Sequence, residues 1–438
     1  MSKICFLGAG STIFAKNVLG DCIYTEDIKD LNIVLHDIDE KRLEESRALI
    51  SHIIKTSGRS DVTLSCNLNR KEALRGASYV VNAVQVGGYD PCTITDFEIP
   101  KKYGLRQTIA DTLGIGGIFR ALRTIPVMKA FADDMEEVCP DALLLNYTNP
   151  MAMLTGYMQI HTSIKTIGLC HSVQDCAARL LKDVDMTKYI DKCKWEIAGI
   201  NHQAWLLKIT DLEGNDLYPE IKNRALSSDM NEFKNTDLVR LDMMDKFGYY
   251  ITESSEHLSE YTPWYIKSNY PDLIEKFNIP LDEYPRRCVE QIEEWAKVQE
   301  KLLNDPQIEH EKTYEFASYI IKAMETDIPF RVHGNVLNTG LITNLPQNAC
   351  VEVPCLIDRN GVNPCFVGEL PEQCAAINRT NINVQLLTIK AAATLEKKYI
   401  YMAAMLDPHT AAELSMDDII HMCDDLIEAH GDWLPKYH

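Results

Sequence analysis

The sequence has no apolar run long enough to cross a bilayer, and no apolar leader follows its first residues, which read Met-Ser-Lys-Ile. It is therefore not expected to be an integral membrane protein or to carry a secretory signal. Positive charge is also scarce, because 44 Lys and Arg stand against 64 Asp and Glu, a formal net charge of −20. This balance argues against nucleic acid or an anionic membrane as a partner. It leaves room for one local phosphate site.

Cysteine is plentiful, yet the spacings that mark many metal sites are missing. Fourteen cysteines are spread over 438 residues, with neither a CxxC nor an HExxH pattern. Disulfide frameworks are typical of short secreted domains, whereas this chain is long and begins without a leader. We therefore expect reduced thiols and a cytoplasmic protein. With 46% hydrophobic and 25% charged residues, the chain is predicted to be globular rather than disordered.

The first half of the chain alternates apolar runs with helical patterns. The runs end at turn residues and cover residues 3–7, 32–35, 77–86, 142–145 and 166–169. Residues 41–56 and 118–138, which lie between them, repeat apolar side chains at helical spacing. Buried parallel strands connected by helices have this pattern. The sequence therefore predicts an α/β protein with a Rossmann-type, doubly wound parallel sheet.

The pattern changes after about residue 195. Residues 214–330 are rich in charged and aromatic side chains and are predicted mainly as helix. Residues 331–371 contain four prolines among Val and Ile, which is typical of short strands and turns, and 383–398 and 411–430 again favour helices. We predict a Rossmann domain over residues 1–195 and a closely packed α+β lobe over 196–438.

A glycine pair follows the first predicted strand. Gly8 and Gly10 precede Ser11 and Thr12, where a helical pattern begins. Glycines there let backbone N–H groups approach a pyrophosphate at a helix N-terminus. Asp37, after the second predicted strand, could accept both ribose hydroxyls and would repel a 2′-phosphate, which favours NAD over NADP. The third glycine of the fingerprint is missing, so a plain turn beside a helix-capping Asp remains the alternative.

Two short motifs carry side chains that bind divalent metals. Cys170 and His171 follow a predicted strand, at the edge where α/β sheets place ligands, and Asn201 with His202 follows another apolar stretch. A thiolate and an imidazole can bind one metal ion. From the spacing alone, a buried cysteine and two core histidines without a ligand are the favoured interpretation.

Three further segments hold polar side chains of less specific meaning. Asn149 precedes a proline, so its backbone is biased to an extended or turn conformation that can aim the amide into a cleft. Asp111 lies in a glycine-rich loop before a helical pattern and could simply be an acid at a helix N-terminus. Residues 255–261 include His257 and Tyr261, and their spacing alone favours a surface helix.

Taken together, these motifs resemble glycoside hydrolase family 4 over nearly the whole chain. The runs that carry the resemblance are QVGGY (85–89), LNYTNP (145–150), GLCHSV (168–173) and AGINH (198–202). The Cys-His-Ser run combined with the Asn-His pair is the most specific of these features. Within the family, the chain is most similar to the α-galactosidases of the melibiase type.

The resemblance implies an enzyme that uses NAD and a divalent metal, usually Mn²⁺. It implies that residues 1–195 form an NAD-binding domain like that of lactate and malate dehydrogenases, and that 196–438 complete the site and the oligomer contacts. Cys170 and His202 match the family's metal ligands. Tyr261 is the position expected for the catalytic tyrosine, and His257 is the other candidate in that segment.

Other positions are assigned in the same way. Asp111 matches an acid that raises the basicity of the tyrosine, and Asn149 and Asn201 are expected to contact the sugar. Relatives that cleave 6-phosphosugars carry Asp or Asn after the metal cysteine, whereas His171 stands here and is expected to protonate the leaving oxygen. Those relatives also carry an Arg where this chain has Thr93, so a sugar phosphate would lose a charge-assisted partner. An unphosphorylated hexoside is favoured.

The expected reaction is hydrolysis of terminal α-galactosides by a redox route. NAD takes a hydride from sugar C3, the C2 proton leaves to Tyr261, the leaving group departs, water adds at C1 and C3 is reduced again. The α-glucosidases and α-glucuronidases of the same family stay open as alternatives. A uronic acid would need a cation, and Arg286 and Arg287 would serve unless they are surface residues, which is the favoured interpretation.

Two alternatives come from other classes. An NAD-dependent hydroxyacid dehydrogenase would share the Rossmann half, but would need a His–Asp pair and an Arg for the carboxylate instead of a metal thiolate. A non-catalytic NAD sensor is the third interpretation, and the number of polar residues in the motifs disfavours it. The resemblance implies a homodimer or homotetramer, with a small sugar as the partner.

Overall fold

The computed structural model describes residues 2–227, 231–304, 310–313 and 315–438. Its strands are β1 (Ser2–Leu7), β2 (Leu31–His36), β3 (Val62–Cys66), β4 (Tyr79–Asn82), β5 (Leu143–Asn146), β6 (Thr166–Gly168), β7 (Cys193–Ile200), β8 (Gln203–Asp211), β9 (Tyr250–Ile251), β10 (Phe330–Leu337), β11 (Cys350–Asp358) and β12 (Gly361–Pro364).

The helices connect and cover these strands. They are α1 (Thr12–Ile23), α2 (Glu40–Ser57), α3 (Arg70–Leu74), α4 (Ile94–Lys102), α5 (Gly114–Val138), α6 (Met151–His161), α7 (Ser172–Asp183), α8 (Tyr218–Ala225), α9 (Glu232–Asn235), α10 (Leu238–Phe247), α11 (Ser255–Tyr261), α12 (Asp272–Lys276), α13 (Glu283–Asn304), α14 (Phe316–Thr326), α15 (Glu372–Thr394), α16 (Lys397–Leu406), α17 (Pro408–Glu413) and α18 (Met416–His430). A π-helical segment spans Gly88–Thr93. Among the described residues, none of these helices has the length and apolar character that a membrane crossing requires.

One mixed sheet runs through the molecule. Its strand order is β3-β2-β1-β4-β5-β6-β10-β11-β7-β8-β9, with β12 paired to β11. The strands from β3 to β6 are all parallel and have the order of dinucleotide-binding folds. From β10 onward the pairing is antiparallel. The predicted α/β class, a doubly wound parallel sheet with a second α+β lobe, is confirmed.

The parallel strands are apolar because both of their faces are covered. In β1, Ile4 and Phe6 pack into the core that contains α1 and α2, whereas Cys5 and Leu7 pack into the core that contains α5. Successive residues of a strand point to opposite faces, so a strand between two helical layers needs apolar side chains at every position. This arrangement exposes only the strand ends, where the loops carry the predicted site.

Several elements differ from the sequence-based expectation. The run at 77–86 is a strand only over Tyr79–Asn82. The Asn82 side chain donates to Asn146 at 2.8 Å where these two neighbouring strands end, and the chain then leaves the sheet. Strand β3 was not predicted, since exposed Thr63 and Ser65 alternate with its apolar residues at the sheet edge. The helix expected at 383–398 begins earlier, at Glu372.

The two predicted domains share this sheet. Strand β6 pairs antiparallel with β10 through Gly168 and Asn335, and β7 runs across the predicted boundary between residues 195 and 196. A Cβ atom on Gly168 would lie 2.5 Å from Met151 Sδ and 2.9 Å from Asn335 Cβ, so the close approach of these elements requires glycine. The division into residues 1–195 and 196–438 stays a prediction.

A buried carboxyl pair ties α7 to α10. The Tyr250 hydroxyl donates to Asp237 at 2.5 Å, and its oxygen lies 3.2 Å from an Asp183 oxygen. The guanidinium groups of Arg179 and Arg240 flank the two acids. Burial raises the pKa of Asp183 well above its usual range, and the charge of Asp237 adds to this effect. The folded protein therefore favours a protonated Asp183.

We expect Asp183→Asn to gain stability relative to the wild type as the pH rises. A carboxyl whose pKa is raised by folding stabilises the fold below its unfolded value, about 4, and loses that contribution as the pH rises through the folded value. Because Asn resembles the protonated acid at every pH, the difference in Tm between variant and wild type should grow from pH 5 to pH 9. Thermal unfolding across this range, with Asp191→Asn at an exposed position as control, measures it. A difference that does not change with pH would contradict the assignment.

Candidate active site

The predicted site residues come together where the parallel strands end. Asn149 follows β5, Cys170 follows β6, and Asp111 lies in the loop before α5. His202 lies in the tight turn between β7 and β8, and Tyr261 is the last residue of α11. Parts of the chain that are far apart in sequence therefore supply one cluster.

Asp111 is held by several donors. Asn149 Nδ2 donates to one of its carboxylate oxygens at 3.1 Å, Thr112 Oγ1 donates to the other at 2.7 Å, and His257 Nε2 lies 3.7 Å away. Burial alone would raise the pKa of Asp111, but His257 and the charge of Arg120 outweigh burial and hold that pKa well below its usual range. Asp111 is therefore an ionised carboxylate in a fixed orientation.

The loop that carries Asp111 is fastened to α11. The backbone N–H groups of Thr108, Ile109 and Ala110 donate to the buried Glu260 carboxylate at 2.8, 3.2 and 2.8 Å. Three successive amides around one carboxylate form an anion-binding nest. Because Glu260 precedes Tyr261 in the same helix, this nest fixes the loop relative to the tyrosine.

The Tyr261 hydroxyl contacts the predicted metal ligand His202. Its oxygen lies 3.2 Å from His202 Nδ1. Burial raises the pKa of Tyr261 well above its usual value, and the charge of Asp111 adds to this effect. In the metal-free protein the phenol is therefore protonated. Before it can act as a base it must lose this proton, and a positive charge nearby would favour that loss.

His257, the other candidate for the catalytic base, and the nearby Tyr265 differ in position. The ring of His257 belongs to the cluster, since its centroid lies 5.0 Å from that of His202 and 5.8 Å from that of Tyr261. The Tyr265 hydroxyl instead donates to Asp242 at 2.8 Å, outside the cluster. The structure thus brings Tyr261 and His257 together and leaves Tyr265 apart.

A potential metal-binding group includes one residue that sequence reasoning missed. Ligand atoms of Cys170, His202 and Glu253 lie within 4.8 Å of one another, and His202 Nε2 is 3.4 Å from Glu253 Oε2. Burial alone would lower the pKa of His202, but Glu253 and Cys170 raise it to about 10. A sulfur, a nitrogen and an oxygen donor converging on one point fit a divalent metal ion. The only sequence signal for Glu253 was its place after the strand-like residues 249–252.

His171 is oriented by a second missed acid. Its Nε2 lies 2.9 Å from Glu315 Oε2, and its half-exposed ring packs 5.2 Å from that of Phe316. The hydrogen bond to Glu315 raises the pKa of His171. Asp21 accepts the backbone N–H of Glu315 at 2.9 Å and so anchors this acid to α1, the helix that follows the glycine turn.

The predicted nucleotide turn connects β1 to α1. Gly8 has φ 86°, and a Cβ there would lie 2.8 Å from the carbonyl oxygen of Ala83, so this close turn requires glycine. Gly10 N–H donates to Asp37 Oδ2 at 2.6 Å, which places the carboxylate beside the turn as predicted. The turn fits the pyrophosphate and ribose ends of a dinucleotide.

The two hydroxyl residues of the turn differ. Ser11 is the N-cap of α1, and its side chain makes no capping hydrogen bond. The Thr12 hydroxyl points inward to Ser46 Oγ, 2.9 Å away, and Thr12 is buried. Thr12 can therefore reach a cofactor only through its backbone.

The remaining predicted residues lie at the margin of the cluster. Asn201 is fully buried beside Glu352. The buried Thr93 hydroxyl donates to Gly88 O at 3.0 Å within its own loop.

The predicted cations are already paired. Arg286 contacts Glu283 at 2.6 Å and Glu290 at 2.5 Å, and Arg287 contacts Glu256 at 2.8 Å and Glu283 at 2.7 Å. Both guanidinium groups are about half exposed, with side-chain exposures of 54% and 41%. These pairs favour the interpretation of Arg286 and Arg287 as surface residues.

Comparison with known proteins identifies the family. Residues 3–186 match the description "Family 4 glycosyl hydrolase", and residues 197–410 match the C-terminal domain of the same family. The chain belongs to glycosyl hydrolase family 4. It is 61% identical to an α-galactosidase of Bacillus subtilis over 437 residues, which cover 100% of both chains. The resemblance inferred from the family 4 motifs is confirmed.

Solved structures share the family 4 fold. The Bacillus subtilis protein lplD has a TM-score of 0.85 at 24% identity, over 97% of this chain and 99% of its own. A 6-phospho-α-glucosidase from gut microorganisms, in complex with NAD and Mn²⁺, has a TM-score of 0.80 at 19% identity over 100% of both chains. Malate dehydrogenase from Plasmodium falciparum reaches 0.54 at 13% identity, over 91% of this chain and 100% of its own. The predicted likeness to that dehydrogenase fold is therefore also confirmed.

Proposed function

We propose that this family 4 hydrolase cleaves terminal α-galactosides with NAD and Mn²⁺ as cofactors. The observation that carries the proposal is the cluster in which Asp111 and Tyr261 lie beside His202, one of the potential metal ligands. The full-length relative that is an α-galactosidase supports the substrate class. The neighbour in complex with NAD and Mn²⁺ supports the cofactors.

Residues on both halves would hold the cofactors. Gly8, Gly10 and Asp37 would bind NAD at the turn after β1, and Cys170 and His202 would bind the metal. The chemistry supplied by the bound groups is reversible removal of a hydride from sugar C3 by NAD and polarisation of the C3 oxygen by the metal.

The side chains of the cluster would move the protons. The charge of a metal ion bound by His202 would lower the pKa of the nearby Tyr261 and let its phenolate form. That phenolate would accept the C2 proton, and the neighbouring Asp111 charge increases its basicity. The C1–O bond then breaks, its electron pair leaves with the aglycone oxygen, and His171 donates a proton to that oxygen. Water then adds at C1 while its proton passes to His171, which restores that acid, and Tyr261 returns its proton to C2. With the hydride that the bound cofactor would give back to C3, the net reaction is hydrolysis. Asn149 would fix both Asp111 and a sugar hydroxyl.

The site favours a neutral hexoside. Thr93 stands where the family members that cleave 6-phosphosugars carry an Arg. Its hydroxyl donates to the Gly88 carbonyl oxygen. Arg286 and Arg287, the cations considered for a uronic acid, are paired with glutamates. These contacts support α-galactosidase over α-glucuronidase, and α-glucosidase remains the nearest rival.

We expect cleavage of an aryl α-galactoside to require both NAD and Mn²⁺. Protein stripped with EDTA and freed of NAD should be inactive, and adding both should restore release of the aryl group without accumulation of NADH, because the hydride returns to the sugar. Release of the aryl group and the absorbance of NADH can be followed together. Full activity of the stripped protein would reject the redox route.

The same assay separates the alternatives. A panel of aryl α-galactoside, α-glucoside, α-glucuronide and α-galacturonide, with the β-galactoside as control, tests the sugar preference. Net NADH formation from a 2-hydroxy acid would favour a dehydrogenase. NAD binding without turnover of any sugar would favour a sensor.

Three coarser properties accompany the proposed activity. We propose a homodimer or homotetramer, which light scattering of the purified protein would test. A cytoplasmic location is supported by the fourteen cysteines, all of which are free thiols. The metal site would use both predicted domains, with Cys170 from residues 1–195 and His202 from residues 196–438, beside the NAD held by residues 1–195.

A further inference from the structure

Glu253 lies where a third protein ligand would bind the metal. Its carboxylate shares the 4.8 Å cluster with Cys170 Sγ and His202, and each of the three residues comes from a different loop at the sheet edge. We infer that Glu253 coordinates the divalent metal together with Cys170 and His202. This inference rests on the proposed metal dependence of the enzyme.

The backbone presents Glu253 and His202 from neighbouring positions. Thr252 N–H donates to Ala204 O at 2.9 Å, and Ala204 N–H donates to Thr252 Oγ1 at 3.1 Å. These bonds fix Thr252, which precedes Glu253, against Ala204, which lies two residues after His202. One short antiparallel pairing between β8 and β9 therefore sets the distance between the two candidate ligands.

Both residues adopt a left-handed backbone conformation, which residues other than glycine rarely adopt. His202 has φ 61° and Glu253 has φ 69°. Such conformations cost free energy and persist where the surrounding structure imposes them, often at functional sites. Here they turn the imidazole and the carboxylate toward the same point, so that His202 Nε2 lies 3.4 Å from Glu253 Oε2.

The charges around Glu253 leave a role for a cation. Among the described residues, the ion-pair partners of its carboxylate within 4.0 Å are His202 and His257, with no Lys or Arg. The side chain is only 22% exposed. The positive charges that act on this carboxylate are those of His202, His257 and, from farther away, Arg240. A metal ion binds the neutral imidazole, so with His202 as a ligand a divalent ion would take over as the cation beside Glu253.

Glu253 also changes the chemical character of the site. A Cys and a His alone would by softness suit zinc, whereas a carboxylate oxygen is a ligand that Mn²⁺ prefers. The carboxylate thus makes the donor set more suitable for Mn²⁺. The rival role is orientation of His257, whose Nδ1 lies 3.5 Å from Glu253 Oε1 and 2.8 Å from Ser254 Oγ.

The test measures Mn²⁺ binding directly, in the metal-free full-length protein with NAD present and no sugar. Titration followed by the electron paramagnetic resonance of free Mn²⁺ should show binding weaker by at least roughly 10-fold for Glu253→Gln and Glu253→Gly, since the loss of a group that only supports a ligand already costs that much. Glycine suits φ 69°, so this second variant removes the carboxylate without adding backbone strain. Glu256→Gln, three residues along, is the matched control and should bind Mn²⁺ like the wild type.

The outcomes separate the inference from the proposed function. Wild-type affinity in both Glu253 variants would overturn the ligand assignment, even if their turnover were lost, because the carboxylate would then act on His257. Failure of the wild type to bind Mn²⁺ would overturn the proposed metal dependence itself. Melting temperature and NAD binding, measured for each variant, confirm that the fold is intact.

Discussion

Tyr261→Phe is expected to lower kcat for an aryl α-galactoside by roughly 10²- to 10⁴-fold, the range for loss of a general base. The substitution removes the oxygen that lies 3.2 Å from His202 Nδ1 and would accept the C2 proton. A substrate carrying deuterium at C2 should exchange the label with solvent in the wild type and retain it in the variant. Steady-state kinetics and mass spectrometry of recovered substrate measure the two effects.

A matched control is available four residues along the chain. Tyr265→Phe makes the same chemical change at a hydroxyl that donates to Asp242, and it should leave kcat near the wild-type value. NAD affinity should be unchanged in both variants, because the nucleotide turn is formed by other residues. If Tyr261→Phe keeps its activity and His257→Ala loses it, the base is His257 instead.

Asp96→Ala is expected to reduce the free energy of unfolding by about 3–5 kcal/mol, as when one partner of a buried ion pair is removed. Asp96 accepts from Arg123 at 2.6 and 3.1 Å and from His430 Nε2 at 2.9 Å, and all three side chains are at most 3% exposed. The variant would leave the Arg123 guanidinium buried without its anion. Denaturant titration of both proteins measures the loss.

The control for this experiment is an ion pair on the surface of α5. Lys129 and Asp133 contact each other at 2.7 Å, but their side chains are 55% and 58% exposed. Asp133→Ala should cost only about 0.3–0.5 kcal/mol, because water screens the pair. Equal losses in the two variants would contradict the structural role of Asp96. That role fixes α4, and with it the preceding loop of Thr93, to α5 and the C-terminal helix α18.

The parallel half of the fold was predictable because its signals are local. Apolar runs that end at turn residues marked β1, β2, β5 and β6, and the glycine pair marked the nucleotide turn. Strand β3 escaped because an edge strand alternates polar and apolar residues. The break between α17 and α18, inside the helix expected at 411–430, coincides with Ser415, whose side chain caps α18 by accepting the N–H of Asp418.

The candidate site was only partly predictable. The family motifs led to Cys170 and His202. The two candidates for the catalytic base, Tyr261 and His257, lie in one cluster. Glu253 and Glu315 have no specific local signal, since the role of each depends on a contact with a residue far away in the sequence. An isolated glutamate after a short strand, or before a helix, is too common to single out.

The antiparallel join between β6 and β10 has a mechanical consequence. Gly168 of β6 lies two residues before Cys170, and β10 continues through β11 to β7, which leads to His202. Backbone hydrogen bonds therefore connect one proposed ligand to the other without a flexible linker between them. Enzymes that work by hinge closure of two domains place their site between those domains. Here the proposed ligands are carried by one continuous sheet, so substrate access is expected to depend on the loops around the site.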